Sequence, residues 1–559
     1  MTRAPATRKP AAPVASPLAV AGKRFTLPPW AIVVSLLALT LVVQRHTLHQ
    51  YFALDDLIMF QQAAGIRPWP HTLWRWLSGW AWFHAVVPLW GHEPFPYHAA
   101  SLVLHALNTL LLYRLARRWG GSSVAAFVGA GLFAASRLHF PALFAASSIG
   151  ELLSLTGTLA ALLLVAPGPR MAVAIAAIAL ALSAKESVLL VPFAAVLAAP
   201  PSGAWRERAR TLAPLLVSGV LIGAGLLLSG RGSGRLGGPA YAVSLGANLF
   251  ENVARLFGWT VDLIDPIPDL HATTVGAAHI VLPIIAFMLT LFALRKPGAP
   301  LLRAGAAWWW LAVLPVLPLP GRTYLFYLYV PLAGAGLVAA ALWDAVLGWR
   351  AGRARDHRSS GRAAWVAAFA MLVLYASWSD VLLSVREDLR MAATDWPLDP
   401  VLRKSEIARR GIGDVDAALA SQHARVAILI PASISHDVDL GSGQVSADTP
   451  VKRYALEAVL DEGRTLRAMV PAADSVVFVH DYESGRDGWQ YFLSRSDSHL
   501  VPLGQLPAAH ARFVQAMLSS GFAPAALDYA NKALADRPGD ASLRALREQA
   551  AAAVSTAPR

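Results

Sequence analysis

The chain has 559 residues, 56% hydrophobic and only 15% charged, whereas roughly a quarter of an ordinary soluble domain is charged, so lipid is its main solvent. Its net charge of +13 sits in short basic clusters between apolar runs, which assigns the charge to membrane topology and excludes nucleic acid as its partner. With no cysteine in the sequence, thiol chemistry, iron–sulfur clusters and disulfides are excluded.

Residues 1–26, rich in Ala, Pro, Arg and Lys, read as a disordered cytoplasmic tail. The apolar run from Leu27 to Val43 follows with no small-residue cleavage signature, so it reads as an uncleaved signal anchor. A span takes about 20 mostly apolar residues. Candidates lie at 27–43, 98–113, 122–136, 141–166, 171–183, 187–199, 212–229, 274–294, 304–320, 323–347 and 363–383, about eleven crossings. With the N-terminus inside, the inner loops collect Arg114, Arg117 and Arg118; Arg170; Arg206, Arg208 and Arg210; Arg295, Lys296 and Arg303; and Arg350, Arg353, Arg355, Arg358 and Arg362.

Two stretches suit the outer interface better than a crossing. Counting 245–264 as a span would push Arg295 and Lys296 outside, so it is laid flat as an amphipathic helix. In 69–90, Trp69, Trp74, Trp76, Trp80, Trp82 and Trp90 crowd a segment too polar to cross, and indole rings prefer interfacial depth.

The expected architecture is thus an all-α polytopic membrane domain over 27–383 with an external loop at 44–97. An extracytoplasmic α/β domain over 384–505 and a helical segment over 506–559 follow. Residues 425–431 and 475–480 read as buried strands by their short β-branched runs. In the last segment Gly521, Ala526, Ala533 and Pro538 occupy the small-residue and terminal-proline positions of a tetratricopeptide-like unit, for which a plain helical hairpin is an equal alternative.

Several residues could carry chemistry. Tyr51-Phe-Ala-Leu-Asp55-Asp56 places two adjacent carboxylates at an apolar boundary, where desolvation and mutual repulsion oppose ionisation; the bland alternative is a loop turn or helix cap. His98 and His105 are seven apart and share a helix face, with Asn108 one turn on, and interhelical hydrogen bonds account for them more simply than a metal does. Arg137, His139 and Glu151 mark the outer ends of the third and fourth spans, with an Arg137–Glu151 pair as the structural alternative. Lys185 and Glu186 fall at the next outer junction, where a lysine can hold a phosphate with the glutamate positioning it, or the two can snorkel as a pair. Arg322 and Tyr324 open the tenth span; the arginine offers a planar fork to phosphate or carboxylate, and an aromatic belt would explain the tyrosines without it. Gly232-Ser-Gly234-Arg-Leu-Gly237 matches dinucleotide-binding spacing but follows a membrane helix, not a strand, and reads as a loop. Asp262, Asp265 and Asp269 read as a solvated acidic turn, with contacts to an acceptor or a cation as the alternative.

Taken in order, these features resemble the GT-C class of membrane glycosyltransferases, and most closely the O-mannosyltransferase-like proteins with tetratricopeptide repeats. The resemblance covers roughly 27–347. It is carried by Asp55-Asp56, the Pro96 to Asn108 run ending at Tyr113, Arg137-Leu-His139-Phe-Pro141 through Glu151, Ala-Lys185-Glu186-Ser with Val191-Pro192, and Arg322-Thr-Tyr324 with Val330-Pro331. It implies transfer of one mannose-like hexose from a polyprenyl-phosphate donor to a protein or glycan hydroxyl on the non-cytoplasmic face, with inversion. Asp55 matches the general base and Asp56 a group that orients the acceptor or tunes its neighbour. Lys185 and Arg322, with Arg137 and His139, match cations for the leaving phosphate, and Glu151, Glu186, His98 and Tyr324 match supporting positions. The implied setting is a bacterial inner membrane with the C-terminal domain extracytoplasmic. No motif requires a cofactor, no residue set is assigned to a metal, and a divalent cation stays open. One departure is that Pro141 is followed by Ala142, Leu143 and Phe144, leaving Glu151 as the nearby acid. The alternatives are a membrane transport or lipid-handling protein without catalysis, and the same chemistry on a lipid or surface-glycan acceptor.

Overall fold

A computed structural model of the chain describes residues 27–53, 55–166, 168–198, 204–232, 242–262, 278–296, 299–320, 323–351, 357–390, 396–430, 455–484, 486–495 and 499–556. Six described helices are long and apolar enough to cross a membrane: Pro29–His49, Pro94–Arg118, Ala146–Leu164, Trp205–Arg231, Leu325–Leu347 and Gly361–Asp388. The chain is an integral membrane protein built mostly of helices. Ser123–Ala134 and Arg137–Phe144 would make a seventh span, bent by 45°. Pro169–Ala184, Glu186–Leu197 and Ile280–Arg295 are shorter apolar helices, and Pro300–Val313 answers to the run at 304–320. Each of the eleven expected runs thus meets a helix, while only six pass the length and composition test alone.

Contacts between helix ends sort into two sets. On one side Gln44 donates to the Ser136 carbonyl at 2.9 Å, His46 meets Asp380 at 2.9 Å, Ser78 donates to the Ala184 carbonyl at 2.7 Å, and Thr72 bonds Ser229 at 3.0 Å. On the other, Arg118 donates to the Val165 carbonyl at 2.8 Å, the Ser122 N–H to Asp344 at 2.8 Å, and Arg208 to the Ala198 carbonyl at 3.3 Å. Successive helices alternate between these sets, as an up-and-down path requires. The bundle closes through small residues. A Cβ at Gly129 would stand 2.2 Å from the Gly336 carbonyl oxygen, so the Ser123–Ala134 and Tyr329–Ala351 helices meet backbone to backbone.

The fourth expected span is broken. Instead of one helix through 141–166, Phe140–Phe144 ends short, a turn at Ala146–Ser148 intervenes, and Ile149–Leu164 carries on. Residues 245–264 contain the amphipathic helix Ala247–Thr260, tied by Asn252 to the Leu317 carbonyl at 2.9 Å.

The membrane helix His357–Asp388 runs to Asp388, five residues beyond its expected end, and a C-terminal domain follows it. Among the described residues its sheet has four strands, the first two on the expected runs: β1 (Ala424–Leu429), β2 (Ala473–Val479), β3 (Gln490–Ser494) and β4 (Leu500–Gly504). The order is β2-β1-β3-β4, with β1 parallel to β2 and β3, and β4 antiparallel at the edge. Alternate residues of β1 serve two cores. Val426 and Ile428 pack in a cluster that includes Phe52, Phe60 and Tyr97 from the segment between the first two spans and the start of the second; Ala427 and Leu429 pack against the C-terminal helices. The terminal segment forms the expected hairpin, Ala508–Ser519 with Ala523–Asp536, closed around Ala526 and Ala533, and a third helix, Ala541–Thr556, packs on it.

Candidate functional site

The acidic pair opens the Asp55–Ala63 helix, where carboxylates favour the positive end of the helix dipole. The two differ in surroundings. Asp55 is exposed, while Asp56 is 0% accessible and accepts hydrogen bonds from the Ser147 N–H at 2.7 Å and the Ala53 N–H at 3.2 Å. Burial pushes the Asp56 carboxyl up to about 6, and the Ser147 side chain, then those N–H donors, offset part of the rise. The helix is fixed along its length. Phe52, Phe60 and Tyr97 meet edge to face at 4.6 to 5.6 Å, and Gln61 donates to Thr465 of the C-terminal domain at 2.9 Å.

The cationic side lies at the Ala184–Ser187 junction. The Lys185 Nζ is 3.2 Å from Glu151 Oε1, with the lysine side chain 11% exposed and the glutamate 1%. Ser187 donates to the other Glu151 oxygen at 2.9 Å. The ammonium also lies 5.4 Å and 5.8 Å from the ring centres of Phe326 and Tyr327. Tyr324 stacks on Phe326 at 5.1 Å, so it belongs to the same corner. Glu186 makes no pair with Lys185. It accepts from Arg75 Nε at 2.8 Å, from a terminal Arg75 nitrogen, and from the Trp74 indole at 3.1 Å. Arg75 was not among the expected site residues. Its φ of 55° is left-handed for a non-glycine, a strain that its ion pair and its stacking on Trp74 at 4.2 Å hold in place.

The acidic and cationic sides share one mount. Within five residues, the Ser147 N–H holds Asp56 and Glu151 holds Lys185, while a Cβ at Gly150 would stand 2.8 Å from the Ala184 carbonyl and 3.0 Å from Ser78 Oγ. Glycine there lets the loop after the first span, the break in the fourth span and the Lys185 junction converge.

Other expected residues fall elsewhere. Arg137 pairs with Asp262, so the alternative pairing with Glu151 does not form. His139 is buried inside the bundle, 4.6 Å ring to ring from His105 and 4.9 Å from Tyr329. His98 sits between Phe52 and Phe144 with Nδ1 3.4 Å from the Leu143 carbonyl. His105 bonds Tyr329 at 3.0 Å, and Asn108 donates to the Leu152 carbonyl at 3.0 Å, the interhelical bonding expected of them. Arg322, Asp265, Asp269 and the stretch 233–237 of the glycine motif lie outside the described residues. Among the described residues no group of three or more His, Asp or Glu side chains is arranged to hold a metal ion.

No family model and no curated protein matches the sequence. Among solved structures, the oligosaccharyltransferase of Archaeoglobus fulgidus, determined with a tethered acceptor peptide, is a distant likeness at 13% identity and a TM-score of 0.37. The alignment covers 64% of this chain and 55% of that one.

Proposed function

We propose that the chain is a GT-C-type membrane glycosyltransferase that moves a mannose-like hexose from a polyprenyl-phosphate donor to a protein or glycan hydroxyl. Transfer takes place on the non-cytoplasmic face of a bacterial inner membrane, with the N-terminus cytoplasmic and the outer domain extracytoplasmic. The observation that carries this reading is the shared mount, by which one five-residue segment holds both the acidic pair and Lys185. Glycosyl transfer needs these two charge types near each other, an acid–base group for the acceptor and a cation for the departing phosphate. The family resemblance of the sequence supplies the substrate class.

In this reading Asp55, exposed at the start of its helix, takes the proton from the acceptor hydroxyl. The hydroxyl oxygen then attacks the anomeric carbon on the face opposite the phosphate. The bond from that carbon to the phosphate oxygen breaks with its electron pair leaving on the phosphate, and configuration inverts. Lys185 stabilises the charge that develops, with Arg322 as its expected partner beside Thr323 and Tyr324. No step calls for a metal.

Mass analysis of envelope glycans and glycoproteins from cells with and without the chain is the test. One hexose is expected to disappear from one class of acceptor, and Asp55→Asn is expected to reproduce that loss with normal expression and donor binding. An unchanged profile rejects the enzyme reading, and activity in Asp55→Asn rejects the base.

A further inference from the structure

Of the two aspartates, the buried one is the better described. A carboxylate shut away from water is expensive unless its oxygens find donors, and Asp56 finds them in the Ser147 N–H on Oδ1, the Ala53 N–H on Oδ2 and the Ser147 side chain. With no accessible surface and both oxygens engaged, Asp56 is not placed to touch an acceptor. The Ser147 amide is spare in its own turn. In Ala146–Ser148 the described internal bonds start at Ser148, whose N–H reaches the Ala145 carbonyl at 2.9 Å, so Ser147 offers one of the orphan donors at a helix start. Asp56 therefore caps a turn 91 residues away in sequence, and that turn leads directly to Glu151. The far end of its own helix is held separately by Gln61 on Thr465.

We propose that Asp56 is a positioning residue: by accepting the Ser147 and Ala53 N–H groups it pins the first turn of the Asp55–Ala63 helix to the Ala145–Glu151 segment and so sets where Asp55 stands relative to Lys185. This rests on the reading of Asp55 as the base.

The test uses the full chain in membrane vesicles, with a synthetic polyprenyl-phosphate mannose as donor probe and released polyprenyl phosphate as the readout. Asp56→Asn is expected to lower kcat at least about tenfold with probe affinity within about threefold of the parent, because charge-assisted hydrogen bonds to the helix start are lost while the donor side is untouched. Amide exchange at Ala53 and Ser147 is expected to speed up about tenfold or more as the same bonds go. Ser147→Pro leaves Asp56 intact and removes its partner's N–H together with the Ser147 hydroxyl, at a position in the turn that tolerates proline, so it is expected to copy the kcat loss. The double variant is expected to be no worse than Asp56→Asn alone, since the contact that Ser147→Pro removes is already lost in Asp56→Asn. Unchanged exchange and kcat in Asp56→Asn, weakened probe binding with kcat intact, or additive losses in the double variant each overturn the proposal. Asp55→Asn separates the two failures. Activity in it rejects the base reading, whereas inactivity in it beside full activity in Asp56→Asn rejects the positioning role alone.

Discussion

On the acidic side of the candidate site a buried carboxylate is held by backbone N–H groups, whereas on the cationic side Lys185 and Arg75 are held by the side chains of Glu151 and Glu186. Backbone donors neither titrate nor swing away, so the acidic side is fixed before any ligand arrives, with Asp55 left facing solvent. The ion pairs are different in kind. A phosphate can engage Lys185 only by competing with Glu151, whose other oxygen accepts from the Ser187 hydroxyl. One side is a rigid platform, and the other is a closed network that a polyanionic ligand would open.

The largest way to break the comparison is to remove the lysine. Lys185→Ala leaves Glu151 buried with a single hydroxyl donor, and breaking a buried pair from one side costs about 3–5 kcal/mol. Thermal unfolding of the full chain in lipid nanodiscs is expected to show a marked drop, and Lys185→Met combined with Glu151→Gln is expected to recover most of it. A single variant as stable as the parent would mean that the network is not closed. Next in size is the pH dependence of the acidic side. Because the Asp56 carboxyl stands at about 6, above its ordinary value near 4, folding favours its neutral form. The contribution is fully present below about pH 4 and is lost as pH rises through about 6, worth about 3 kcal/mol between the limits. Asp56→Asn is expected to flatten that part of the stability profile between pH 4 and 7, and an unchanged slope would show that the carboxyl is not desolvated as described.

What the sequence disclosed follows the same division. Apolar runs are read one residue after another, so every expected span meets a helix. The break at Ala145–Ser148 was not legible, because residues 141–166 are apolar enough to read as one span despite Ser147, Ser148 and Glu151, and the group that stabilises the break, Asp56, is remote in the chain. Asp55-Asp56 stood out as a local oddity, but which aspartate is buried depends on that same remote turn. The cationic pairings failed for a like reason. Glu186 lies next to Lys185 in sequence, yet it binds Arg75 at a separation of 111 residues, and no local pattern marks Arg75. In the outer domain β1 and β2 carry β-branched runs, while β3 and β4 are five residues each and β4 contains Pro502, which an edge strand tolerates and a sequence pattern reads as a loop.

Gly150 joins the two sides, so it tests whether they are one site. A methyl group there would stand closer to the Ala184 carbonyl and to Ser78 than such atoms pack, and overpacking of this kind costs roughly 1–3 kcal/mol. Gly150→Ala is expected to lower thermal stability by that amount and to impair donor binding and turnover together, since the shift moves Ser147 and Glu151 alike. Loss of one without the other would separate the acidic side from the cationic side.

The smallest effect sharpens the comparison from the outer domain. Arg67, on the loop that follows the Asp55–Ala63 helix, meets Asp461 at 2.8 Å, with the two side chains 35% and 27% exposed. Solvent and salt screen such a pair, so Arg67→Ala is expected to cost less than about 1 kcal/mol and to leave transfer activity near the parent level. Gln61, buried and bonded to Thr465 in the same contact between loop and outer domain, has no such screening. Gln61→Leu is therefore expected to cost more than Arg67→Ala, because it leaves the Thr465 hydroxyl buried without its donor. Equal effects in thermal unfolding would mean that the outer domain rests on the acidic platform loosely, and that the backbone pin at Asp56 carries the loop's position alone.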